Sequence, residues 1–433
     1  MIIETRRIPD GPAERYDASQ DLLEWLGGNF ERYGDVFKAT AYGVYLYGVN
    51  DPRYAQHVLR KNWQNYKKGF AIKRIGLLLG KGLMVSEGEL WKTQRKMIQP
   101  AFHGRAIGAL AQVITQANDE LVRSWTEAAR AGTAVNVTRD ISLMVLKSVL
   151  MAIFGDDYET VAPQFRILSE EASRDLEFAQ AFRPLRQLVL EVATDRRARG
   201  AAAPDMLGML MAARDARTGQ AMADGQLVSE IITLVVAGHE TTASTLNWTW
   251  YLLSQAPEAE ARLHAELDQI TDDRSPSLAD LPRFAYSRQV IEEAMRLYPA
   301  GWLMTRKALA DDQLGPYFVP AGTEIYLSPY FLQRREDLWE DPHRFDPDRF
   351  APERSRERPA LAMLPFSAGP RNCIGEDFAR LEMQLHLMAV ARRLRLRYAD
   401  GPPLALEAGV NLRSRHDFMM FPELRVAPTR PSS

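Results

Sequence analysis

The sequence predicts a mainly α-helical protein with a minor β-sheet region. Apolar residues recur at helical spacing over long stretches, whereas strand-like alternation is confined to a few short segments. Strand and helix signals do not alternate regularly along the chain, which argues against a doubly wound α/β fold. The chain has 433 residues, of which 46% are apolar, so it can build either one large core or two domains.

The N-terminal part of the chain mixes helix, strand and loop signals. Residues 14–33 are predicted as a helix, 36–47 as strands that turn at Gly43, and 51–63 as a second helix. Between residues 65 and 88 apolar runs alternate with glycines and the periodicity fails. This predicts a long loop, and long loops of this character are often functional.

Helical patterns dominate the middle of the chain. They run from residue 89 to 271 with breaks near Gly132 and across 199–204, before strand signals return at 317–318 and 324–327. Most of the core is therefore predicted to lie in helices.

Composition and charge limit the classes of function. The formal net charge is −2, which gives no indication of a nucleic-acid partner. The N-terminus lacks the apolar stretch of a signal peptide, and no run reaches the roughly 18 uncharged apolar residues of a membrane span. We therefore expect a soluble cytoplasmic protein with no membrane span and a disordered tail at 427–433.

The lone cysteine, Cys373, lies in the most distinctive stretch of the chain. Residues 366–375 read FSAGPRNCIG, and a predicted helix follows at 374–396. A thiol at the N-terminal end of a helix is favoured as thiolate, because free N–H groups and the helix dipole stabilise negative charge. Gly369 and Gly375 permit turns and close approach that a side chain would forbid. The stretch is predicted to present a thiolate to a close, flat partner.

Several interpretations of Cys373 are open from these residues alone. A single cysteine is most often a small buried apolar residue, although that leaves the surrounding glycine, proline and arginine unexplained. A zinc site needs about four ligands and a disulfide needs a second cysteine, so one cysteine argues against both. The remaining chemical roles are a nucleophile and the axial ligand of a haem iron.

The same stretch resembles the haem-ligand loop of the cytochrome P450 family. The pattern Phe366-x-x-Gly369-x-Arg371-x-Cys373-x-Gly375 matches that loop at every fixed position. The resemblance implies the cytochrome P450 fold, with haem b between a long central helix and the cysteine loop. Cys373 would be the iron ligand, and the other residues of the pattern would contact the cofactor.

Two arginines outside the loop resemble propionate-binding residues of the family. Trp91 and Arg95 lie one turn apart at the start of a predicted helix, and alone they are typical of a surface tryptophan covered by an arginine. By the resemblance this pair reaches the haem propionates, as do Arg306 and Arg371. Guanidinium groups suit that role because they form charge-assisted bonds to carboxylates.

The centre of a long helix predicted over 226–256 interrupts its apolar pattern. The run from Ala237 to Thr241 contains a glycine, an acid and an alcohol, which either form a solvated stripe or let a groove open beside the helix. On the first interpretation, His239 and Glu240 face water. The run matches the family's oxygen-activation motif. That resemblance implies that Ala237 adjoins the haem, Thr241 stabilises bound oxygen and Glu240 helps to deliver protons.

Glu293 and Arg296 lie three residues apart on a predicted helix, a spacing typical of an ordinary surface pair. Glu292 makes the pairing ambiguous by spacing alone. The resemblance selects Glu293 with Arg296 and adds Arg349 from a downstream motif, giving a buried structural ion network. Asp348 stands in that motif where the family usually has glutamate.

The resemblance implies a haem-thiolate monooxygenase that inserts one oxygen atom of O2 into a hydrophobic substrate. One haem domain would span residues 1–433 without a fused reductase, so a separate ferredoxin and ferredoxin reductase would supply electrons. Cations expected on the docking face are Lys92, Lys96, Arg105, Arg380, Arg392 and Arg393. Scattered solvated charges explain these residues equally well.

Other activities remain open on the same fold. Peroxide-driven peroxygenases and dehydratases often lack the acid–alcohol pair, so Glu240 and Thr241 argue against both. A non-catalytic haem sensor would not need the pair, and a hydrolase with Cys373 as nucleophile would bind no haem.

The substrate is predicted to be hydrophobic. Candidate pocket residues are almost all apolar, and such pockets bind apolar ligands with few orienting polar groups. They are Phe70, Leu83, Met84, Val236, Ala237, Thr242, Leu303, Met304, Phe418 and Met419. Segments 302–306 and 327–330 are similar to those of soluble bacterial members that act on carotenoids, terpenes and fatty acids. This similarity favours a terpenoid or a fatty acid.

Overall fold

The described part of the chain is mainly helical with a minor sheet region, which confirms the predicted fold class. The computed structural model describes residues 9, 14–169, 176–200, 203–269, 274–399 and 401–425. The predicted disordered tail at 427–433 lies outside the described residues. The helices are α1 (Leu22–Tyr33), α2 (Pro52–Gln56), α3 (Phe70–Leu79), α4 (Gly88–Ile98), α5 (Arg105–Ala131), α6 (Val137–Phe154), α7 (Tyr158–Phe165), α8 (Leu176–Arg199), α9 (Met206–Ala212), α10 (Asp224–Ser254), α11 (Pro257–Leu267), α12 (Ala285–Leu297), α13 (Pro329–Leu332), α14 (Pro352–Ser355) and α15 (Glu376–Arg393).

Small sheets complete the described fold. Their strands are β1 (Glu14–Arg15), β2 (Val36–Ala41), β3 (Val44–Val49), β4 (Tyr66–Lys68), β5 (Val135–Asn136), β6 (Met304–Ala308), β7 (Asp312–Leu314), β8 (Tyr317–Val319), β9 (Glu324–Leu327), β10 (Leu394–Tyr398), β11 (Leu406–Ala408), β12 (Leu412–Ser414) and β13 (Met419–Leu424). The largest sheet has the order β1–β2–β3–β9–β6–β4, and a three-stranded sheet has the order β10–β13–β5. β7 pairs with β8, and β11 pairs with β12.

Helix α10 runs through the core. Outside a short central stretch most of its residues are buried, including polar ones such as Glu230 and Asn247, so protein surrounds the helix on nearly all sides. It packs against α6, α8, α12 and α15, and the side chains of Leu246, Trp248 and Trp250 are buried. The predicted helix over 226–256 is confirmed, with both ends two residues earlier. No helix in the described ranges has the length and apolar character needed to cross a membrane.

The loop predicted between residues 65 and 88 is partly wrong, because it contains α3. Gly69 precedes this helix, and Gly80 ends it with a φ of +78°. Two of the glycines that interrupt the sequence pattern therefore lie at the ends of a helix, and Gly76 lies inside it. Residues 80–87, which join α3 to α4, are the part that remains a loop.

The N-terminal predictions are wrong at one point and confirmed at another. The helix predicted over 14–33 is too long, because Asp21 accepts hydrogen bonds from two N–H groups of the first turn and so fixes the start of α1. The preceding residues form β1 instead. The predicted turn is confirmed, since Tyr42 and Gly43, with φ of 49° and 76°, connect β2 to β3.

Glu293, Arg296 and Arg349 form the predicted buried ion network. The Nε atom of Arg296 lies 2.6 Å from a carboxylate oxygen of Glu293, and both side chains are fully buried. Arg349 Nε approaches the same carboxylate at 3.3 Å. Asp348 instead pairs with the exposed Arg262, so the departure from the family's motif lies outside the network. The surface-pair interpretation is wrong.

Candidate functional site

The cysteine loop, residues 366–375, is closed by its own hydrogen bond and braced by a distant part of the chain. The backbone N–H of Cys373 donates to the carbonyl of Phe366 at 2.9 Å. Gly369 has a φ of +73°, and a Cβ at this position would overlap the carbonyl oxygen of Leu59. Glycine is required here because the two backbones touch directly.

The thiol of Cys373 is exposed, although protein groups surround it closely. Desolvation raises its pKa above the ordinary value, and the nearby Glu376 raises it further. The N–H of Gly375 and the Arg95 guanidinium lower the pKa but do not outweigh burial. The N–H at the start of the helix therefore acts in the predicted direction, while desolvation acts against it and leaves the pKa of the thiol above its ordinary value. A coordinating metal ion would reverse the balance, because it deprotonates a thiol outright.

Gly375 keeps open the space beside the thiol. A Cβ on this residue would lie 3.9 Å from Cys373 Sγ and 3.8 Å from the ring of Phe102, which are ordinary contacts. No described protein atom therefore demands glycine at position 375. A larger side chain would extend next to the sulfur, so glycine leaves room for a bulky group there.

The middle of α10 is half-exposed although the helix lies in the core. Val236, Ala237, Gly238 and Thr241 are all partly exposed, whereas the residues on either side of this stretch are buried. The hydroxyl of Thr241 donates to the carbonyl of Ala237 at 2.7 Å, and the helix continues without a break. Ala237 and Thr241 therefore lie on a partly exposed face of an intact helix, whereas a Cβ on Gly238 would contact Val149 of α6.

His239 and Glu240 have different surroundings, contrary to the interpretation of a solvated stripe. His239 is buried, and its Nε2 lies 2.9 Å from the hydroxyl of Ser142. Burial lowers the pKa of His239 to about 4, so its ring is neutral at pH 7. Glu240 is half-buried and accepts a hydrogen bond from the Asn411 side chain at 2.9 Å. The turn between β11 and β12 thus holds the acid.

A half-open polar cavity of about 440 Å³ lies beside Glu240. Its lining includes Arg139, Arg413 and Asp417. Arg139 and Arg413 are paired with carboxylates close to them in sequence, and Arg166 is a third arginine of the lining. A roomy polar cavity of this kind accommodates water.

Lys68, Arg306 and Arg371 form a cluster of cations behind the cysteine loop. Desolvation, and after it the charge of Arg371, lowers the pKa of Arg306 to about 10. Desolvation, with smaller effects of the charges of Arg306 and Arg371, lowers the pKa of Lys68 to about 7. Glu87 lies 2.7 Å from Arg371, and burial raises the pKa of the nearby Glu230 to about 7. Positive charge therefore exceeds negative charge in a buried place, which suits additional anions.

Trp91 and Arg95 lie close to the cysteine loop. Arg95 donates to the backbone carbonyl and the side-chain oxygen of Asn372 at 2.8 and 2.9 Å. Trp91 is only 6% exposed, and the guanidinium of Arg371 lies over its ring at 5.2 Å. The interpretation of Trp91 as a surface residue is wrong.

These residues fit a haem. The thiol is exposed, Ala237 and Thr241 on α10 are half-exposed, and Arg306 and Arg371 of the cation cluster suit the two propionates of the macrocycle. Among the residues that the structure describes, no three His, Cys, Asp or Glu side chains come together as a metal site. A haem needs only one axial protein ligand, which a single cysteine can supply.

The candidate substrate residues divide into two groups. Side chains of the first group are half-buried, except for the buried Leu83, as expected for the wall of an internal space. They are Phe70, Leu83, Met84, Val236, Leu303 and Met304. The second group consists of Phe418 and Met419. The Phe418 ring is buried against the rings of Trp248 and Tyr251, with centroid distances of 5.3 and 5.1 Å. Met419 is an exposed residue of β13. Thr242 is also buried. Phe418 also lines the cavity beside Glu240, and the assignment of Phe418 and Met419 to the substrate pocket stays a prediction.

The cations predicted on the docking face are not equivalent. Lys92 and Lys96 are exposed on α4. Arg380 is half-buried and paired with two carboxylates, and Arg392 donates to a backbone carbonyl. The side chain of Arg105 lies outside the described residues.

The chain resembles known proteins along nearly all of its length. A family model described as cytochrome P450 matches residues 15–181 and 160–418. The chain is 34% identical over 393 residues to cyclooctat-9-en-7-ol 5-monooxygenase of Streptomyces melanosporofaciens, which covers 86% of this chain and 84% of that protein. It is 30% identical over 398 residues to the pentalenene oxygenase of Streptomyces avermitilis, with coverage of 86% and 87%.

A solved structure has the same fold. The retinoic acid-bound cyanobacterial CYP120A1 superposes with a TM-score of 0.87 over 97% of this chain and 100% of that chain, at 23% identity. Fold, family model and relatives thus agree with the cysteine loop that the sequence singles out. The chain belongs to the cytochrome P450 family of haem-containing oxidoreductases.

Proposed function

We propose that this protein is a haem-thiolate monooxygenase that inserts one oxygen atom of O2 into a terpenoid substrate. The observation that carries the proposal is the exposed thiol of Cys373, which a braced loop presents beside the space that Gly375 keeps free. The substrate class is supported by the relatives, which are named for oxidising terpenoids, and by the half-buried apolar side chains of the candidate wall.

The residues of this chain have separate roles in the proposed reaction. O2 activation and O–O cleavage are the chemistry that a thiolate-ligated haem b supplies when bound. Arg306 and Arg371, with Arg95 and Trp91, would bind its propionates, and the apolar wall orients the substrate and excludes water. Thr241 holds a proton on Oγ1 at the half-exposed face of α10. Glu240 moves protons between that face and the water of the polar cavity.

Electrons come from a separate ferredoxin and its reductase. Lys92 and Lys96 are exposed on α4, the helix that also carries Arg95, which bonds to the cysteine loop. Exposed cations close to the loop steer an acidic partner towards it.

The test uses purified, haem-loaded protein. Its reduced carbon-monoxide complex is expected to show a Soret band shifted far to the red, and terpenoids are expected to shift the haem spin state. With ferredoxin, its reductase and isotope-labelled O2, the product should carry one labelled oxygen atom. Failure of every terpenoid and fatty acid to perturb the Soret band would contradict the substrate class. Activity with peroxide but none with ferredoxin would instead support a peroxygenase.

Thr241→Ala is expected to uncouple electron consumption from product formation. Thr241 carries the one hydroxyl among residues 236–241, so its loss removes a proton-holding group from the half-exposed face. Product formed per electron pair should fall about tenfold or more, and peroxide should rise. Haem content and ligand-induced spin shifts should not change. Thr241→Ser keeps the hydroxyl and is the matched control, and equal coupling in the alanine and serine variants would count against this role.

A further inference from the structure

The 80–87 loop lies directly on the central helix. A Cβ on Gly82 would overlap the Thr233 hydroxyl and would lie 2.5 Å from the carbonyl oxygen of Ser229. A Cβ on Gly80 would lie 2.9 Å from the Ser229 hydroxyl. The loop backbone therefore touches α10 without an intervening side chain, so small movements of the loop are felt at once by the helix.

Two charged side chains form hydrogen bonds to the backbone of this loop at Leu83. The N–H of Leu83 donates to Glu230 Oε2 on α10 at 2.7 Å. Lys68 Nζ, on β4, donates to the Leu83 carbonyl at 2.8 Å and to the Ser86 carbonyl at 2.9 Å. Gln226 donates to the other oxygen of Glu230 at 2.6 Å. One residue of the loop is thus held from its donor side and from its acceptor side.

Lys68 and Glu230 hold the loop by hydrogen bonds and not by an ion pair. Within the described ranges, neither Lys68 nor Glu230 forms a salt bridge, and their hydrogen bonds go mainly to the loop backbone. Both groups are buried at a cost, since desolvation raises the pKa of Glu230 to about 7 and lowers that of Lys68 to about 7. Buried polar groups are tolerated when hydrogen bonds compensate them, and here the compensation comes from the loop.

Leu83, which these hydrogen bonds hold, belongs to the candidate substrate wall. Leu83 and Met84 follow one another in the loop, and Met84 packs against the main core while staying half-buried. A shift of the Leu83 backbone therefore moves both side chains.

We propose that Lys68 and Glu230 are positioning residues that fix the 80–87 loop on α10, so that Leu83 and Met84 present one defined surface to the substrate. This inference rests on the proposed function. Without the hydrogen bonds from Lys68 and Glu230, the loop samples several positions and the substrate binds in several orientations. The enzyme then keeps its haem but forms a mixture of products.

The test compares Glu230→Leu and Lys68→Met with two controls in the haem-loaded protein. Glu230→Gln keeps an acceptor for the Leu83 N–H, and Lys81→Met removes an exposed lysine from the same loop. Hydrogen exchange of the 80–87 amides should accelerate about 10- to 100-fold in the first two variants and stay near the wild-type rate in the controls. With a terpenoid that wild type converts mainly to one product, Glu230→Leu and Lys68→Met should form several. Glu230→Gln should restore the single product.

Unchanged exchange in Glu230→Leu and Lys68→Met would overturn the proposal, as would faster exchange with an unchanged product pattern. Loss of haem from Lys68→Met without faster exchange would also overturn it and would assign Lys68 to the propionates. If Glu230→Leu does not fold, Lys68→Met against Lys81→Met decides. The exchange measurement needs no turnover. An enzyme that shows the expected exchange but oxidises no substrate would therefore contradict the proposed function, and not the role of Lys68 and Glu230 in fixing the loop.

Discussion

Cys373→Ser is expected to remove the far-red-shifted Soret band of the reduced carbon-monoxide complex and to reduce monooxygenation to background. A serine oxygen cannot provide the electron donation of a thiolate, and the chain has no second cysteine to replace it. The loop itself should keep its shape, because the hydrogen bond to Phe366 and the contact of Gly369 with Leu59 involve backbone atoms. The measurements are the spectrum of the purified protein and product formation with ferredoxin.

Ser367→Ala is the matched control for this substitution. Ser367 lies in the same loop, and its buried hydroxyl has no hydrogen-bond partner among the described residues. Its removal should leave the red-shifted band and the activity unchanged. A Cys373→Ser protein that retained the band would show that another group ligates the iron.

Arg296→Met is expected to destabilise the fold by about 3–5 kcal/mol, because it leaves a buried carboxylate without its main partner. Glu293 would keep only the longer contact to Arg349 and the backbone N–H of Asp346. Three backbone carbonyls that accept from Arg296 would also lose their donor. The free energy of unfolding is measured by chemical denaturation followed by circular dichroism.

Arg262→Met is the control for Arg296→Met. It removes an ion pair with Asp348 in which the side chains are 54% and 36% exposed, so we expect a loss within about 1 kcal/mol. Glu293→Gln added to Arg296→Met should recover part of the lost stability, because it removes the unpaired charge. A loss below about 1 kcal/mol for Arg296→Met would contradict the assignment of the network to stability.

The fold class and the central helix could be predicted because their signals are local. The apolar periodicity of α10 extends over eight turns, and the interruption near Ala237 is short enough to leave the helix intact. Helix α3 could not be predicted, since Gly69 and Gly80 at its ends are indistinguishable in sequence from loop glycines. The start of α1 was misplaced for a related reason: Asp21 acts as a cap only in its observed backbone conformation.

The residues of the candidate site could also be predicted only in part. Cys373, Glu240 and Thr241 occur in continuous motifs that can be read directly from the sequence. Lys68 and Asn411 could not be found that way, because each contacts its partner only in the folded chain; Asn411 lies 171 positions from Glu240. The raised pKa of the Cys373 thiol was missed as well, since it depends on desolvation by the surrounding protein.

The brace of the cysteine loop also has a consequence for the order of folding. Arg371 donates to the carbonyls of Trp63 and Tyr66, which lie 308 and 305 positions earlier, and Arg95 reaches Asn372 across 277 positions. Closing loops of this length costs entropy that local helix formation does not, so contacts of this kind form late. The N-terminal partners leave the ribosome long before the cysteine loop is synthesised. A site able to capture its cofactor therefore exists only after the cysteine loop has been synthesised.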